Sequence, residues 1–284
     1  MPAVRRAHTR ARTRIAAAAA VGAAALLLLG CSAPSTSAPS TSAPAEGTAA
    51  AGGEFEGELT VFAAASLQPA FEQLAERFTA QHPRVTLTQT FDGSSVLATQ
   101  IQSGAGADVF ASADEANMQK VVDAGLIESE PATFATSELV IAVAPDNPLG
   151  IETLADLARP ATGGALPVVV VCAAEVPCGT ASRTLLERDG VALDPASEEQ
   201  NVTAVLTKVR GGEADAGLVY HSDVLRSGDE VVGVPIPGAE DAAGAYMIAP
   251  VVGSASPEAA AAFVDFMGSE EAQRVLADLG FRPA

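Results

Sequence analysis

The chain has 284 residues, 48% of them hydrophobic but only 4% aromatic, enough apolar material for one large or two modest globular domains. Its 16 basic residues face 35 acidic ones, for a formal charge of -19. A body this acidic repels nucleic acid and anionic lipid, and no basic stripe with interleaved aromatics offsets it.

At the N-terminus Arg5, Arg6, Arg10, Arg12 and Arg14 precede the apolar run "IAAAAAVGAAALLLLG", and Cys31 follows at once. The run has 16 residues, short of the roughly 20 that a spanning helix needs, so residues 1–30 read as a secretory signal. "LLLG" before the cysteine resembles the lipobox of bacterial lipoproteins, which implies cleavage before Cys31 and a lipid on it. After it, "SAPSTSAPSTSAPAEGTAAAGG" repeats small and polar residues that cannot bury enough surface to fold. Residues 31–56 are therefore expected to be a lipid-bearing cysteine and a tether, holding the body at the outer face of a membrane.

From Gly57 onward short apolar runs alternate with amphipathic helical patterns. "ELTVFAAA", "RVTLTQTFD" and "ADVFASA" read as strands, each followed by a helix: "SLQPAFEQLAERFTAQH", "SSVLATQIQSG" and "DEANMQKVVDAG". This βαβαβα order predicts a mainly parallel sheet flanked by helices, with ligands beyond the C-terminal strand ends. The alternation restarts at Glu138 with the strand "ELVIAVAP" and the helix-like "IETLADLA". "LPVVVVCAA", "AGLVYHSDVL" and "EVVGVPIP" supply further strands, and "GTASRTLLERDG" and "NVTAVLTKVRGG" supply helices. The closing strand "GAYMIAPVV" and the helices "SPEAAAAFVDFMGS" and "EEAQRVLADLGF" need an existing sheet to cover their apolar faces, so they are expected to return to the first unit. The reading is an α/β protein of two lobes with a cleft between them: 57–137 as the first part of lobe I, 138–238 as lobe II and 239–284 as the return to lobe I.

With Cys31 taken by the anchor, Cys172 and Cys178 remain in "VVVVCAAEVPCGTAS". An even remainder at close spacing in an oxidising compartment suggests one disulfide, the alternative being two buried thiols. No histidine lies near them to complete a zinc site. Elsewhere chemistry is sparse. A hydrolytic triad could only use His221, and no G-x-S-x-G elbow presents a serine to it. "GAGADV" precedes its strand and lacks the third glycine of a dinucleotide fingerprint. No enzyme activity and no cofactor are expected. What remains is a set of small polar residues where strands give way to helices: Ser66, the "GSS" of Gly93 to Ser95, and the "PCGT" of Pro177 to Thr180. Converging helix N-termini would make an anion site built from donors alone.

"TVFAAASL", "FDGSSVLATQIQSGAGADVFASAD", "VPCG" and "GLVYHSD", in this order and spacing, resemble the molybdate-binding protein family of high-affinity ABC uptake systems. The resemblance covers the body from about Gly57 to the C-terminus. It implies a type II periplasmic-binding-protein fold, a monomer, an oxyanion held between the lobes by neutral groups, and an ABC permease as partner. Matched residue by residue, it implies hydroxyl and amide donors at Ser66 and Ser94, amides at Cys178 and Val202, and the phenol of Tyr220. Family members often have alanine where this chain has Cys178, and only its N–H is needed. Molybdate and tungstate are fully deprotonated at neutral pH, so every ligand oxygen is an acceptor and a carboxylate among the donors would oppose them. A sulfate or phosphate receptor is the alternative in the same class, and a secreted hydrolase using His221 is the alternative from another.

Overall fold

The computed structural model of the protein describes residues 55–283 except 162, 163 and 243. The signal segment, Cys31 and the tether through residue 54 lie outside the described residues. Among the described residues no helix is long and apolar enough to cross a membrane.

The first lobe begins with β1 (Gly57–Ala64), α1 (Gln68–Gln81), β2 (Val85–Asp92), α2 (Ser94–Gln102), β3 (Val109–Ser112), α3 (Glu115–Asp123) and β4 (Ala132–Ser137). The second lobe holds β5 (Leu139–Val143), β6 (Val169–Cys172), α4 (Pro177–Arg188), β7 (Ser197–Glu199), α5 (Val202–Arg210), β8 (Ala216–Tyr220), α6 (His221–Arg226) and β9 (Val232–Pro235). The chain then returns to the first lobe as β10 (Gly244–Pro250), α7 (Pro257–Met267) and α8 (Glu270–Asp278). Two five-stranded sheets result, ordered β2-β1-β3-β10-β4 and β7-β6-β8-β5-β9.

Each sheet is mixed rather than mainly parallel. β1 pairs parallel with β2 and β3, but β10 runs antiparallel to β3 and β4. In the second sheet β6 pairs parallel with β7 and β8, whereas β5 runs antiparallel to β8 and β9. The reversed strands adjoin the two places where the chain passes between lobes, β4 to β5 through Glu138 and β9 to β10. Each enters its new sheet without a crossover helix, so the right-handed crossover of a parallel βαβ unit does not apply to it.

Side-chain alternation explains how the first sheet carries two layers. Leu59, Val61 and Ala63 of β1 face the layer of α1, α7 and α8, while Phe62 faces the opposite side with Leu97, Phe110 and Met118. On α1 the spacing of Phe71, Leu74 and Phe78 puts all three on one face, and all three are fully buried. Each such side chain contributes about 1.5–3 kcal/mol relative to exposure. Pro69 fits the first turn of α1, where a missing N–H costs nothing.

Two sequence expectations differ locally. "IETLADLA" forms only a 3-10 segment, Leu154–Ala158, capped by the reciprocal pair Thr153 and Asp156. β4, in "ATFATS", escapes the strand pattern because two threonines and a serine dilute the apolar signal; its Phe134 and Ala135 are nevertheless buried. It becomes a strand because β10 pairs with it from more than 100 residues away in sequence.

Candidate functional site

Parallel register brings the strand ends to one level. Ala64 at the end of β1 lies opposite Asp92 at the end of β2, so the segments leading into α1 and α2 begin side by side. In the second lobe Cys172 at the end of β6 lies opposite Glu199 of β7, which aligns the starts of α4 and α5 in the same way. A small cavity lies between the four starts. Its lining includes all five residues singled out in the sequence: Ser66 and Ser94 from the first lobe, Cys178, Val202 and Tyr220 from the second. Each of the five is at least 97% buried.

The cavity residues occupy positions that leave donors available. Ser94 and Val202 are the first residues of α2 and α5, and Cys178 is the second of α4. N–H groups at those positions have no acceptor inside their own helix, and the helix dipole places partial positive charge there. Neither serine caps its helix: the N-cap positions are Ala64 and Gly93. Ser94 Oγ accepts from the Ala113 N–H at 3.0 Å, and Ser66 Oγ accepts from the Tyr246 hydroxyl at 3.0 Å. Each serine therefore keeps its own O–H to donate elsewhere. The Tyr220 hydroxyl is buried without a protein partner. Burial, more than the neighbouring Tyr246 and Asp114, pushes its pKa well above the usual tyrosine value, so it stays protonated and a donor.

The cavity lining contains no lysine or arginine. It does contain one acid that the sequence reading left out, Asp92, immediately before Gly93 and Ser94. Its Oδ1 accepts from the Gly93 N–H at 2.7 Å and from Asn201 Nδ2, across the cleft, at 3.0 Å. Its place at a strand end next to the serine pair was the available signal. Asn201 is the N-cap of α5, accepting from the Ala204 N–H at 2.9 Å.

Gly93 shows how closely the lobes approach. A Cβ there would lie 2.2 Å from the carbonyl oxygen of Gln200 in the second lobe. Its φ of -59° suits any residue, so the other lobe, not backbone conformation, excludes a side chain. Tyr220 and Tyr246, one from each lobe, meet edge to face with centroids 5.8 Å apart.

Behind Tyr220, Asp223 is fully buried, accepts from the Tyr220 N–H at 3.0 Å and pairs with Arg226 at 3.0 Å. Burial raises its pKa to about 6, with Arg226 and the Tyr220 N–H opposing that rise. Asp114 caps α3 by accepting from the Asn117 N–H, and Asp108 accepts from the Thr60 N–H and the Ser254 hydroxyl. Cys172 and Cys178 are joined by a disulfide, which ties the end of β6 to the first turn of α4. His221 is exposed and lies outside the cavity lining.

Two α/β lobes joined by two chain crossings, with a buried donor-lined cavity between them, define a two-lobed binding protein. The chain belongs to the family described as bacterial extracellular solute-binding protein, whose model matches residues 59–282. It is similar to the molybdate-binding protein ModA of Mycobacterium tuberculosis, 46% identical over 223 residues that cover 78% of this chain and 84% of that protein. It is also similar to the putative ABC transporter substrate-binding lipoprotein YvgL of Bacillus subtilis, 30% identical over 260 residues covering 90% of this chain and 93% of that one. Among solved structures, the periplasmic molybdate-binding protein of Azotobacter vinelandii superposes with a TM-score of 0.67 over 80% of this chain and 99% of that one. At 19% identity that likeness shows the fold alone. The family is one of solute-binding proteins, not enzymes.

Proposed function

We propose that this protein captures molybdate, and tungstate with it, outside the cytoplasm and delivers it to an ABC permease. In this reading Ser66 and Ser94 give hydroxyl and amide donors from one lobe, and Cys178, Val202 and Tyr220 give two amides and a phenol from the other. The observation that carries it is the Tyr220 hydroxyl, buried in the cavity wall without a partner. A buried orphan donor costs about 1–3 kcal/mol, which an acceptor entering the cavity recovers. Several oriented dipoles can stabilise a dianion without a lysine or arginine, and neutral donors cost less than an unpaired cation when the site is empty. A ligand that touches both lobes binds the shut form better than the open one and so favours closure, giving the permease a loaded shape to recognise. Identity to a relative named for molybdate supports that anion over others. The same proposal places a lipid on Cys31 and the protein, as a monomer, at the outer face of the membrane.

A receptor for a protonated oxyanion such as phosphate is the second reading, favoured by Asp92, a carboxylate able to accept a hydrogen bond from the ligand's O–H. Thermal unfolding with molybdate, tungstate, sulfate, phosphate and no addition separates the two. A ligand at a thousand times its dissociation constant adds about 4 kcal/mol, which for a body of this size raises the midpoint by roughly 8–16 °C. Shifts with molybdate and tungstate alone support the first reading. A shift with phosphate or sulfate instead replaces the ligand.

A further inference from the structure

Asp92 poses a question that the anion reading does not answer. A carboxylate in the wall of an anion cavity opposes the ligand by Coulomb repulsion, strongly where water is excluded. Its hydrogen bonds supply the reason. Asp92 Oδ1 holds the Gly93 N–H, next to Ser94 at the start of α2, and reaches across the cleft to the Asn201 side-chain amide. The other end of that amide, Oδ1, accepts from Ala204 and so caps α5, whose first residue is Val202. One carboxylate and one amide thus join the helix start that presents Ser94 to the helix start that presents Val202. The adjoining backbone is equally close, since Gly93 leaves no room for a Cβ against Gln200. A second side-chain bond across the cleft among the described residues, from Asn117 Nδ2 to the Glu175 carbonyl, is longer at 3.4 Å.

We propose that Asp92 and Asn201 are the clasp that holds the two lobes shut over the anion, positioning residues that set affinity without contributing to the donor set. This rests on the oxyanion reading above. The bond between them forms only when the lobes meet: in the open form the carboxylate keeps Gly93 and the amide keeps its cap. The clasp adds stability to the closed state alone, so it slows ligand release and deepens affinity in proportion.

The test is a charge-swap cycle read by molybdate titration calorimetry and by small-angle scattering with and without molybdate. Asn201→Asp sets two carboxylates against each other across the cleft while keeping the α5 cap, since aspartate caps as well as asparagine. Affinity falls about tenfold to a hundredfold, compaction on adding molybdate is lost, and the ligand-free unfolding midpoint stays close to that of the parent protein. Adding Asp92→Asn to that variant restores the bond with donor and acceptor exchanged and returns the acid count to that of the parent, so affinity and compaction recover. Parent-like affinity in Asn201→Asp, or no recovery in the double variant, overturns the clasp. Failure of the unmutated protein to bind molybdate overturns the oxyanion reading, and the clasp with it.

Discussion

The Tyr246 hydroxyl donates to Ser66 Oγ at 3.0 Å, joining a strand that returns from the far end of the chain to the first strand-to-helix joint. Both residues are buried, and the bond fixes which way the serine hydroxyl can point. Tyr246→Phe frees that hydroxyl to rotate and removes one buried bond. Molybdate affinity is expected to fall about fivefold to tenfold, with a stability loss of about 1 kcal/mol. Calorimetry and denaturant unfolding on the same preparation check both.

Ser94→Asp tests the anion site directly. A carboxylate there can still accept from the Ala113 N–H, as Ser94 Oγ does, so the fold should survive. It also places a negative charge at the cavity in place of a donor. Binding of molybdate is expected to disappear in calorimetry, and an unchanged affinity would remove Ser94 from the site.

Gly93→Ala addresses closure. The added methyl meets the Gln200 carbonyl of the facing lobe, so it acts against the closed arrangement. The ligand-free midpoint should change by less than about 1 °C, because the open form accommodates alanine at this φ. Ligand affinity should fall at least about a hundredfold, since closing now forces a steric clash.

The disulfide between Cys172 and Cys178 holds the turn that delivers the Cys178 N–H. Replacing both cysteines with serine, or reducing the bond, removes a short loop constraint worth about 2 kcal/mol on the chain-entropy account. The unfolding midpoint should drop by roughly 4–8 °C. Affinity should also weaken, because the amide is no longer fixed against β6. A reductant titration followed by circular dichroism and calorimetry separates the two losses.

Asp223 predicts a pH dependence. Its folded pKa is raised to about 6, so in the interval between the ordinary aspartate value and 6 the folded state binds more protons than the unfolded one. Its contribution to stability is therefore greatest at the acid end of that interval and is lost as pH rises through about 6. Asp223→Asn removes this slope while still accepting from the Tyr220 N–H. Stability measured from pH 4 to 7 in both proteins should differ in slope between roughly pH 4 and 6 and run parallel above it.

The two-lobed α/β character was legible in the sequence because apolar periodicity is written locally. Leu59, Val61 and Ala63 against Phe62 announce a strand with two covered faces, and Phe71, Leu74 and Phe78 announce one face of a helix. The motifs around Ser66, Ser94, Cys178 and Tyr220 carried the family resemblance, which family membership and 46% identity to a mycobacterial relative bear out. β4 was not legible, since its pairing comes from β10 and leaves little trace in its own residues.

By itself the sequence determined which segments bury an apolar face and which small polar residues stand at strand ends, because both are properties of neighbouring residues along the chain. Only the tertiary structure decided what those residues do to one another. It made Ser66 and Ser94 acceptors for Tyr246 and Ala113, and it put the acid Asp92 against Asn201 across the cleft. It also made Gly93 a point of contact between lobes. These relationships depend on distances between residues far apart in sequence, and strand register and lobe packing set those distances where local patterning cannot.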